Sequence, residues 1–197
     1  MDKKTIRDTI RQKLNSISDR QINDYSRNIL ETIKNLDVFQ KAESVMIYSS
    51  IKYEPRTTEL IDLCLKLGKK VYLPTIVFNE IYPVAITQST KYYKGKFGIL
   101  EPFGNVYFGD IDLTIMPMLA FDSNLNRVGK GGGYYDKFLL KNMTYKIGIG
   151  YSFMQVDEVD AKDYDVKLDA VVTENGLIVK EENVLQEQEE GTIDANN

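Results

Sequence analysis

The segment RVGKGGGYYDKF, residues 127–138, places three consecutive glycines among charged and aromatic side chains. Glycine lets the backbone approach a ligand closely and adopt positive φ values. Successive backbone amides can then surround an anion, and Arg127 and Lys130 add two full positive charges. These residue types favour phosphate binding. A flexible turn between a strand and a helix is the alternative interpretation, because glycine triplets also occur in that role.

The residues that follow the glycines add a possible metal ligand and the walls of a pocket. Asp136 supplies carboxylate oxygens, which can hold a Mg²⁺ ion against phosphate oxygens. Tyr134 and Tyr135 can enclose a planar ring. The segment lacks the G-x-x-x-x-G-K-[ST] spacing of a Walker A loop and the G-x-G-x-x-G of the dinucleotide fold. It therefore predicts a phosphate site outside both classes.

The chain contains no histidine and a single cysteine, Cys64. Catalysis by a Ser-His-Asp or Cys-His arrangement is excluded, and so are a histidine-based zinc site and an internal disulfide. The apolar surroundings of Cys64 predict a buried core thiol. Chemistry must therefore use carboxylates, Lys, Arg, Tyr or backbone amides. A metal held by such oxygen ligands is a hard cation, which favours Mg²⁺.

The net charge of −4 is dominated by the last 17 residues, EENVLQEQEEGTIDANN, which carry six acids and no base. This polar segment, 181–197, is predicted to be a disordered tail, and residues 1–180 to form one domain. The domain is not basic enough to indicate nucleic acid as its main partner. Its sequence holds no apolar run of a membrane helix and begins without a signal peptide, which predicts a cytoplasmic protein.

Hydrophobic periodicity predicts helices alternating with strands. Two helices occupy the first 36 residues, the second starting at a capping box of Ser18 and Gln21. Further helices are expected over 57–68, where Thr57 or Thr58 caps the start, and over 135–140. KYYKGKFGILEP (91–102) is predicted to be a long loop. Strands are expected in SVMIYSS (44–50), KKVYLP (69–74), EIYPVAI (80–86, either parallel or antiparallel), DLTIMP (112–117), YKIGIGYS (145–152), LDAVVTE (168–174) and LIVK (177–180).

This alternation predicts an α/β sandwich with a mostly parallel central sheet flanked by helices. In such sheets ligands bind at the carboxyl ends of the strands. Three segments with polar or glycine-rich character follow strand ends directly: 49–54, 120–136 and the residues from Gly150 onwards. We expect them to meet on one rim of the sheet.

Lys3, Arg7 and Arg11 recur every four residues on the first helix. The spacing puts all three on one face. That face is either a solvated flank of the helix or an anion-binding surface, and the spacing alone does not separate the two.

The longer string MPMLAFDSNLNRVGKGGGYYDKFL, residues 116–139, resembles the signature of the 5-formyltetrahydrofolate cyclo-ligase family, also called 5,10-methenyltetrahydrofolate synthetases. The resemblance extends to KKTIRDTIRQKL, EPRTTELI, FGILEP, IGIGYSFMQVDEV and DVKLDAVVTE. It implies a three-layer, Rossmann-like fold. It also implies an ATP- and Mg²⁺-dependent conversion of 5-formyltetrahydrofolate to 5,10-methenyltetrahydrofolate, with ADP and phosphate as products. The chain is separately expected to act as a monomer.

The resemblance also implies roles for individual residues, with Arg127 and Lys130 as the catalytic cations. ATP contacts fall on Lys3, Lys4, Arg7, Arg127, Gly129, Lys130, Gly131, Gly132, Gly133, Tyr134 and Tyr135. Folate contacts fall on Ser49, Glu54, Lys130, Gly131, Gly132, Gly133 and Tyr134, and magnesium ligands on Asp136 and Asp169.

Several of these residues have a plainer interpretation. Glu54 can simply flank the turn at Pro55. Asp169 lies in the apolar string LDAVV, where an acid is costly unless it is paired or bound to metal. The residues Tyr92, Tyr93, Phe97 and Glu101 can line a folate pocket or serve packing alone.

Two other functions remain open at this stage. A sugar-phosphate isomerase or CoA transferase of related architecture would use the glycine loop for a phosphate without consuming ATP. A non-catalytic protein that binds folate or nucleotide would keep the pocket without turnover.

Overall fold

The computed structural model describes residues 2–180, so the predicted tail at 181–197 lies outside the described residues. Its centre is a seven-stranded sheet with the strand order β11-β10-β9-β6-β1-β2-β3. Neighbouring strands from β10 to β2 run parallel, and β11 and β3 are antiparallel edges. The strands are β1 (Ser44–Ile47), β2 (Lys70–Val77), β3 (Glu80–Ile86), β6 (Leu113–Pro117), β9 (Tyr145–Ile149), β10 (Ala170–Thr173) and β11 (Gly176–Ile178).

All seven predicted strands are therefore confirmed, including the antiparallel β3. Short hairpins outside this sheet comprise β4 (Tyr92–Lys94) with β5 (Leu100–Pro102) and β7 (Ala120–Phe121) with β8 (Arg127–Val128).

The helices lie on both faces of the sheet, which makes three layers. They are α1 (Lys3–Leu14), α2 (Asp19–Lys34), α3 (Asp37–Lys41), α4 (Thr58–Lys66) and α5 (Tyr134–Leu139). The predicted capping box at Ser18 begins α2. Thr57 begins α4, but its hydroxyl donates to the carbonyl of Tyr48 at 2.8 Å and caps no helical amide. Of the helices in the described part of the chain, none is long and apolar enough to cross a membrane.

The alternation of side chains along the strands divides the core into two clusters. Met46 and Met116 pack with Ile6 and Ile10 of α1 and with the buried end of α5. The neighbouring strand residues Val45, Ile47, Leu113 and Ile115 face the other way and pack with α2, α3 and α4. Successive strand residues point to opposite faces, so β1, β2, β6 and β10 each contribute to both clusters. Cys64 lies in the second cluster as predicted, where burial raises the pKa of its thiol to about 12.

Residues 91–102 differ from the predicted loop, because β4 and β5 form an antiparallel hairpin around a 3-10 turn at Lys96–Gly98. Glu101 anchors this hairpin to β2. Its buried carboxylate accepts hydrogen bonds from the Thr75 hydroxyl at 2.6 Å and from the Ile76 amide at 3.1 Å. A Cβ at Gly95 would lie 2.2 Å from this carboxylate, so glycine is required there. The glycines and aromatics suggested a loop, whereas a tertiary contact to β2 orders the segment.

Candidate active site

A cavity of about 380 Å³ opens at the carboxyl ends of β1, β2 and β6, the rim where the sheet topology predicts ligand binding. The cavity brings together ten of the predicted site residues: Ser49, Glu54, Arg127, Gly129, Lys130, Gly132, Gly133, Tyr134, Tyr135 and Asp136. Of the three segments expected on this rim, 49–54 and 120–136 therefore meet there.

The third segment, from Gly150 onwards, does not reach the cavity. Among residues 2–180, no residue after Asp136 contributes to its lining. The chain turns at Tyr151 into the short 3-10 helix Ser152–Met154. Glu174 accepts hydrogen bonds from both the amide and the hydroxyl of Ser152, and Tyr151 is fully buried. The segment therefore packs into the core.

The glycine loop connects β8 to α5 in a conformation that needs its glycines. Gly131 has φ +106° and Gly133 has φ +64°, values that side chains with a Cβ rarely adopt. At Gly132 the obstacle is space, because an added Cβ would lie 2.4 Å from the ring of Tyr134. The loop therefore holds Tyr134 against its own backbone while keeping its amides accessible.

Arg127 is buried beneath this loop and forms an ion pair with Asp136. Its Nη2 donates to Oδ1 of Asp136 at 2.8 Å, and its guanidinium lies 5.6 Å from the ring centre of Tyr135. Arg127 Nε is buried without a hydrogen-bond partner among the described residues. A buried donor without a partner is costly, so Nε is a donor that the described residues leave unused.

Lys130 and Glu54 meet across the cavity. Lys130 Nζ lies 2.5 Å from Oε1 of Glu54, whose other oxygen accepts a hydrogen bond from the Ile51 amide at 2.9 Å. Glu54 is 92% buried, whereas 46% of the Lys130 side chain is exposed. The preceding residue, Tyr53, has φ +70°, a strained value that turns the chain into the cavity. The turn at Pro55 is therefore present, but the Glu54 carboxylate also points to the cavity.

The carboxylate of Glu54 affects the pKa values of the tyrosines around it. Burial, and then the charge of Glu54, raise the pKa of Tyr135 far above its ordinary value. The same two causes, in the same order, raise the pKa of Tyr48. Both phenols therefore stay protonated at any physiological pH. They can donate hydrogen bonds but cannot act as bases.

Helix α1 contacts the glycine loop through Arg7 and the segment before β10 through Lys3. Arg7 Nε donates to the carbonyl of Gly129 at 2.8 Å, and Lys3 forms an ion pair with Asp165. Lys4 is exposed, and the ion pair that Arg11 makes within residues 2–180 is with Asp8 on its own helix, at 3.4 Å. The face of α1 is thus divided: its first turns contact the site, and Arg11 belongs to the solvated flank.

The two predicted magnesium ligands are not brought together. Asp136 lines the cavity, and its Oδ1 also faces the Val166 amide at 3.5 Å. Asp169 precedes β10, at the amino edge of the parallel strands. Its Oδ2 accepts from the Lys146 amide at 2.8 Å and lies 2.6 Å from Lys146 Nζ. Asp169 is therefore paired on the edge opposite the cavity, which explains how the apolar string LDAVV tolerates it.

Sequence reasoning missed several residues of the site. The apolar side chains Pro74, Ile76, Ile81, Ile99 and Pro117 line the cavity, and they carry no signal that separates them from core residues. Lys96 donates to the Tyr134 hydroxyl at 3.0 Å and to Asn79 at 2.7 Å, joining the hairpin to the Tyr134 wall. Glu101 does line the cavity, and Tyr93 reaches it only through a 2.9 Å hydrogen bond to Glu101.

This arrangement can be compared with known proteins. The sequence matches the model of the 5-formyltetrahydrofolate cyclo-ligase family over residues 1–174. A probable 5-formyltetrahydrofolate cyclo-ligase of Schizosaccharomyces pombe is 30% identical, with 90% of this chain and 98% of the yeast protein aligned. The enzyme of Haemophilus influenzae is also 30% identical, over 83% of this chain and 92% of its own. The chain belongs to this family.

The solved structures agree with the cyclo-ligase assignment. The 5,10-methenyltetrahydrofolate synthetase of Aquifex aeolicus superposes with a TM-score of 0.82 at 30% identity, covering 91% of this chain and 93% of its own. The predicted family and the Rossmann-like fold are therefore confirmed. The isomerase, the CoA transferase and the non-catalytic binding protein are not favoured, because family, relatives and fold all indicate cyclo-ligases.

Proposed function

We propose that this chain catalyses the ATP-dependent closure of 5-formyltetrahydrofolate to 5,10-methenyltetrahydrofolate. The observation that carries the proposal is the contact between Lys130 and Glu54. It puts a cation of the glycine loop and the acid assigned to folate within 2.5 Å of each other in one cavity. A reaction that joins a phosphoryl group to a folate atom requires that proximity.

The chemistry needs positioning and charge stabilisation rather than a covalent nucleophile. The formyl oxygen attacks the γ-phosphorus of ATP, ADP leaves, and an N5-iminium phosphate forms. N10 of the same folate then attacks the formyl carbon and loses its proton, and the C–O bond to phosphate breaks as the ring closes. Such a transfer is accelerated mainly by fixed positive groups around the phosphoryl oxygens. Arg127, Lys130 and the loop amides lie where they can supply them.

Three cations of the phosphate side are each paired with a carboxylate, whereas Arg7 donates to the Gly129 carbonyl. Arg127 pairs with Asp136, Lys130 with Glu54 and Lys3 with Asp165. These pairs neutralise the cations before the anionic triphosphate arrives. We assign Arg127 and Lys130 to the transferred phosphoryl group, and Lys3 and Arg7 to the outer phosphates.

On the folate side we assign Glu54 and the apolar wall to the pterin. A carboxylate suits the N–H edge of a pterin ring, and Pro74, Ile76 and Pro117 offer a flat apolar surface. Ser49 lies beside Glu54 at the end of β1. The protonated Tyr135 adds a donor near the junction of the two ligands.

The residues also fit a bound Mg²⁺ ion, which when present would neutralise charge on the phosphates. Mg²⁺ commonly takes one or two protein carboxylates and completes its shell with phosphate oxygens and water. Asp136 offers Oδ2, because its hydrogen bonds to other described residues fall on Oδ1. No group of three acidic or cysteine ligands occurs within residues 2–180, which agrees with such a sparse site.

For a second metal ligand we propose Asp165 in place of Asp169. The peptide joining Asp165 to Val166 faces Asp136, and Asp165 pairs with Lys3 on the phosphate side. Asp169 is held by Lys146 on the other edge.

We further propose that the enzyme acts as a monomer in the cytoplasm, with one catalytic domain over residues 1–180.

The decisive experiment is to incubate the protein with 5-formyltetrahydrofolate, ATP and Mg²⁺ and to follow the absorbance band of the methenyl product. We expect a band that requires both substrates, with one ADP released per product. Folate binding without the band would indicate a binding protein. ADP release without folate would indicate a different phosphoryl acceptor.

A further inference from the structure

A second cavity lies beside the first, between α5 and β3. It has a volume of about 320 Å³, and Ile81 lines both cavities. Along α5 the lining passes from one to the other: Tyr134, Tyr135 and Asp136 face the first, and Lys137 and Phe138 face the second. We call this second space the lateral cavity. Ile81 is the residue that the two linings share, so the two cavities are adjacent.

The walls of the lateral cavity are aromatic and cationic. Phe108 is 79% exposed there and meets the ring of Tyr82 edge-on, with the ring centres 6.0 Å apart. Lys137 and Lys141 stand one helical turn apart at the same cavity. Exposed aromatic surface beside ammonium groups suits a ligand that carries both a ring and carboxylates.

The lateral cavity is lined by two cations, Lys137 and Lys141, and one anion, Glu80. Lys141 Nζ lies 2.8 Å from each oxygen of the Glu80 carboxylate, so those two charges neutralise each other. Lys137 has no ion pair within 4 Å among residues 2–180. The cavity therefore retains one uncompensated positive charge.

We propose that the lateral cavity binds the p-aminobenzoyl-glutamate tail of the folate substrate, with Lys137 pairing with the tail carboxylates. The inference rests on the proposed function, which places the pterin of the same molecule in the first cavity. The aminobenzoyl ring packs against Tyr82 and Phe108, and Lys137 makes the cavity selective for the anionic end. Glu80 opposes the tail and is offset by Lys141.

The test compares two substrates and three variants. The substrates are 5-formyltetrahydrofolate and its analogue 5-formyltetrahydropteroate, which lacks the glutamate. Lys137→Ala should raise KM for the folate about threefold, the size typical of an exposed charge pair, with kcat unchanged. It should leave KM for the analogue unchanged. Lys66→Ala, an exposed lysine on α4 that lines neither cavity, is the matched control.

Glu80→Gln should change KM for the folate in the opposite direction to Lys137→Ala. Removing this carboxylate frees Lys141 and ends the repulsion of the tail, so KM for the folate should fall by about twofold while that of the analogue stays constant. A merely structural role of the Glu80–Lys141 pair predicts no such selectivity for the glutamate.

Three results would overturn the proposal: equal changes in KM for both substrates, no change for either, or a change in KM for ATP alone. If the wild-type protein turns over neither substrate, the proposed function fails instead. Calorimetric binding of 5-formyltetrahydrofolate and of the analogue, without ATP, then decides the lateral cavity on its own. A Lys137→Ala loss of affinity confined to the folate supports the proposal, and equal affinities reject it.

Discussion

Arg7 Nε donates a hydrogen bond to the carbonyl oxygen of Gly129 at 2.8 Å, joining the first helix to the glycine loop across 122 residues of sequence. The guanidinium also lies 3.7 Å from the position of a Cβ at Gly131. One arginine therefore contacts the loop on both sides of Lys130. This contact holds the N-terminal helix against the glycine loop.

Arg7→Ala should weaken ATP binding by about 10- to 150-fold, since a charge-assisted contact contributes roughly 1.5–3 kcal/mol. Arg11→Ala is the control, because the ion pair that Arg11 makes within residues 2–180 is with Asp8, on the exposed part of α1. Calorimetric titration of both variants with ATP measures the two affinities. Equal, near-wild-type affinities would remove α1 from the site.

Gly132→Val should weaken ATP binding by about tenfold or more, equal to about 1.4 kcal/mol, with little change in Tm. The new side chain collides with the Tyr134 ring, which must then leave the wall of the cavity. Gly68→Ala provides the contrast. Gly68 has φ +73° at the end of α4, far from the cavity. That substitution should cost about 1 kcal/mol and lower Tm by about 2–4 °C without affecting turnover. A large fall in Tm for Gly132→Val with unchanged affinity would make the loop purely structural.

Glu54→Gln should change the affinity for folate and the affinity for ATP in different ways. Folate affinity should fall about tenfold, because a buried charged hydrogen-bond acceptor is lost. ATP affinity measured without folate should stay the same or rise, because Lys130 is released from its 2.5 Å ion pair. Glu59→Gln, at an exposed position in the first turn of α4, is the control. A loss of ATP affinity in Glu54→Gln would show that the ion pair positions Lys130 for phosphate.

Asp136→Asn should raise the Mg²⁺ concentration needed for half-maximal turnover at least about tenfold, and Asp165→Asn should act in the same direction. Asp169→Asn should leave the Mg²⁺ requirement unchanged and only lower stability, because Lys146 loses its partner. Magnesium activation curves and urea unfolding of the three variants separate these outcomes. Full wild-type turnover in chelator would overturn the metal assignment altogether.

Asp112 should make stability depend on pH at the start of β6. Burial tends to raise the pKa of Asp112, but hydrogen bonds from Ser44 and from the Glu43 amide outweigh it and lower the pKa. A lowered pKa in the folded state means that the stabilisation is complete above the unfolded value of about 3.9 and is lost as pH falls through the folded value.

Asp112 is exposed, so solvent screens its contacts; Asp112→Asn should be less stable than wild type by about 0.5 kcal/mol at pH 7, and the difference should shrink near pH 3. Urea unfolding at both pH values measures it. Asp157→Asn, an exposed acid without a hydrogen bond or ion pair to other described residues, should show no difference at either pH. A gap between wild type and Asp112→Asn that is the same at both pH values would refute the role of ionisation.

Local patterns were sufficient for most of the fold. The capping box at Ser18, the apolar runs of the seven strands and the helical spacing of Ile6 and Ile10 each depend on residues close in sequence. Short-range preferences and burial periodicity act on the same residues in almost any fold, so both can be recognised in the sequence. The hairpin over 91–102 was missed because Glu101, which orders it, binds to β2 some 25 residues earlier.

The sequence alone determined the chemistry that is available: no histidine, a glycine loop between cations, and acids at fixed positions, together with a signature that indicates the family. Only the tertiary structure decided which of these groups meet. It placed Lys130 against Glu54 and Arg7 against Gly129, turned Asp169 to the opposite edge, and set the lateral cavity beside the first. The reason is that side-chain proximity at a sheet rim depends on strand order and on long-range packing. Neither can be inferred from the residues next to a given position in the sequence.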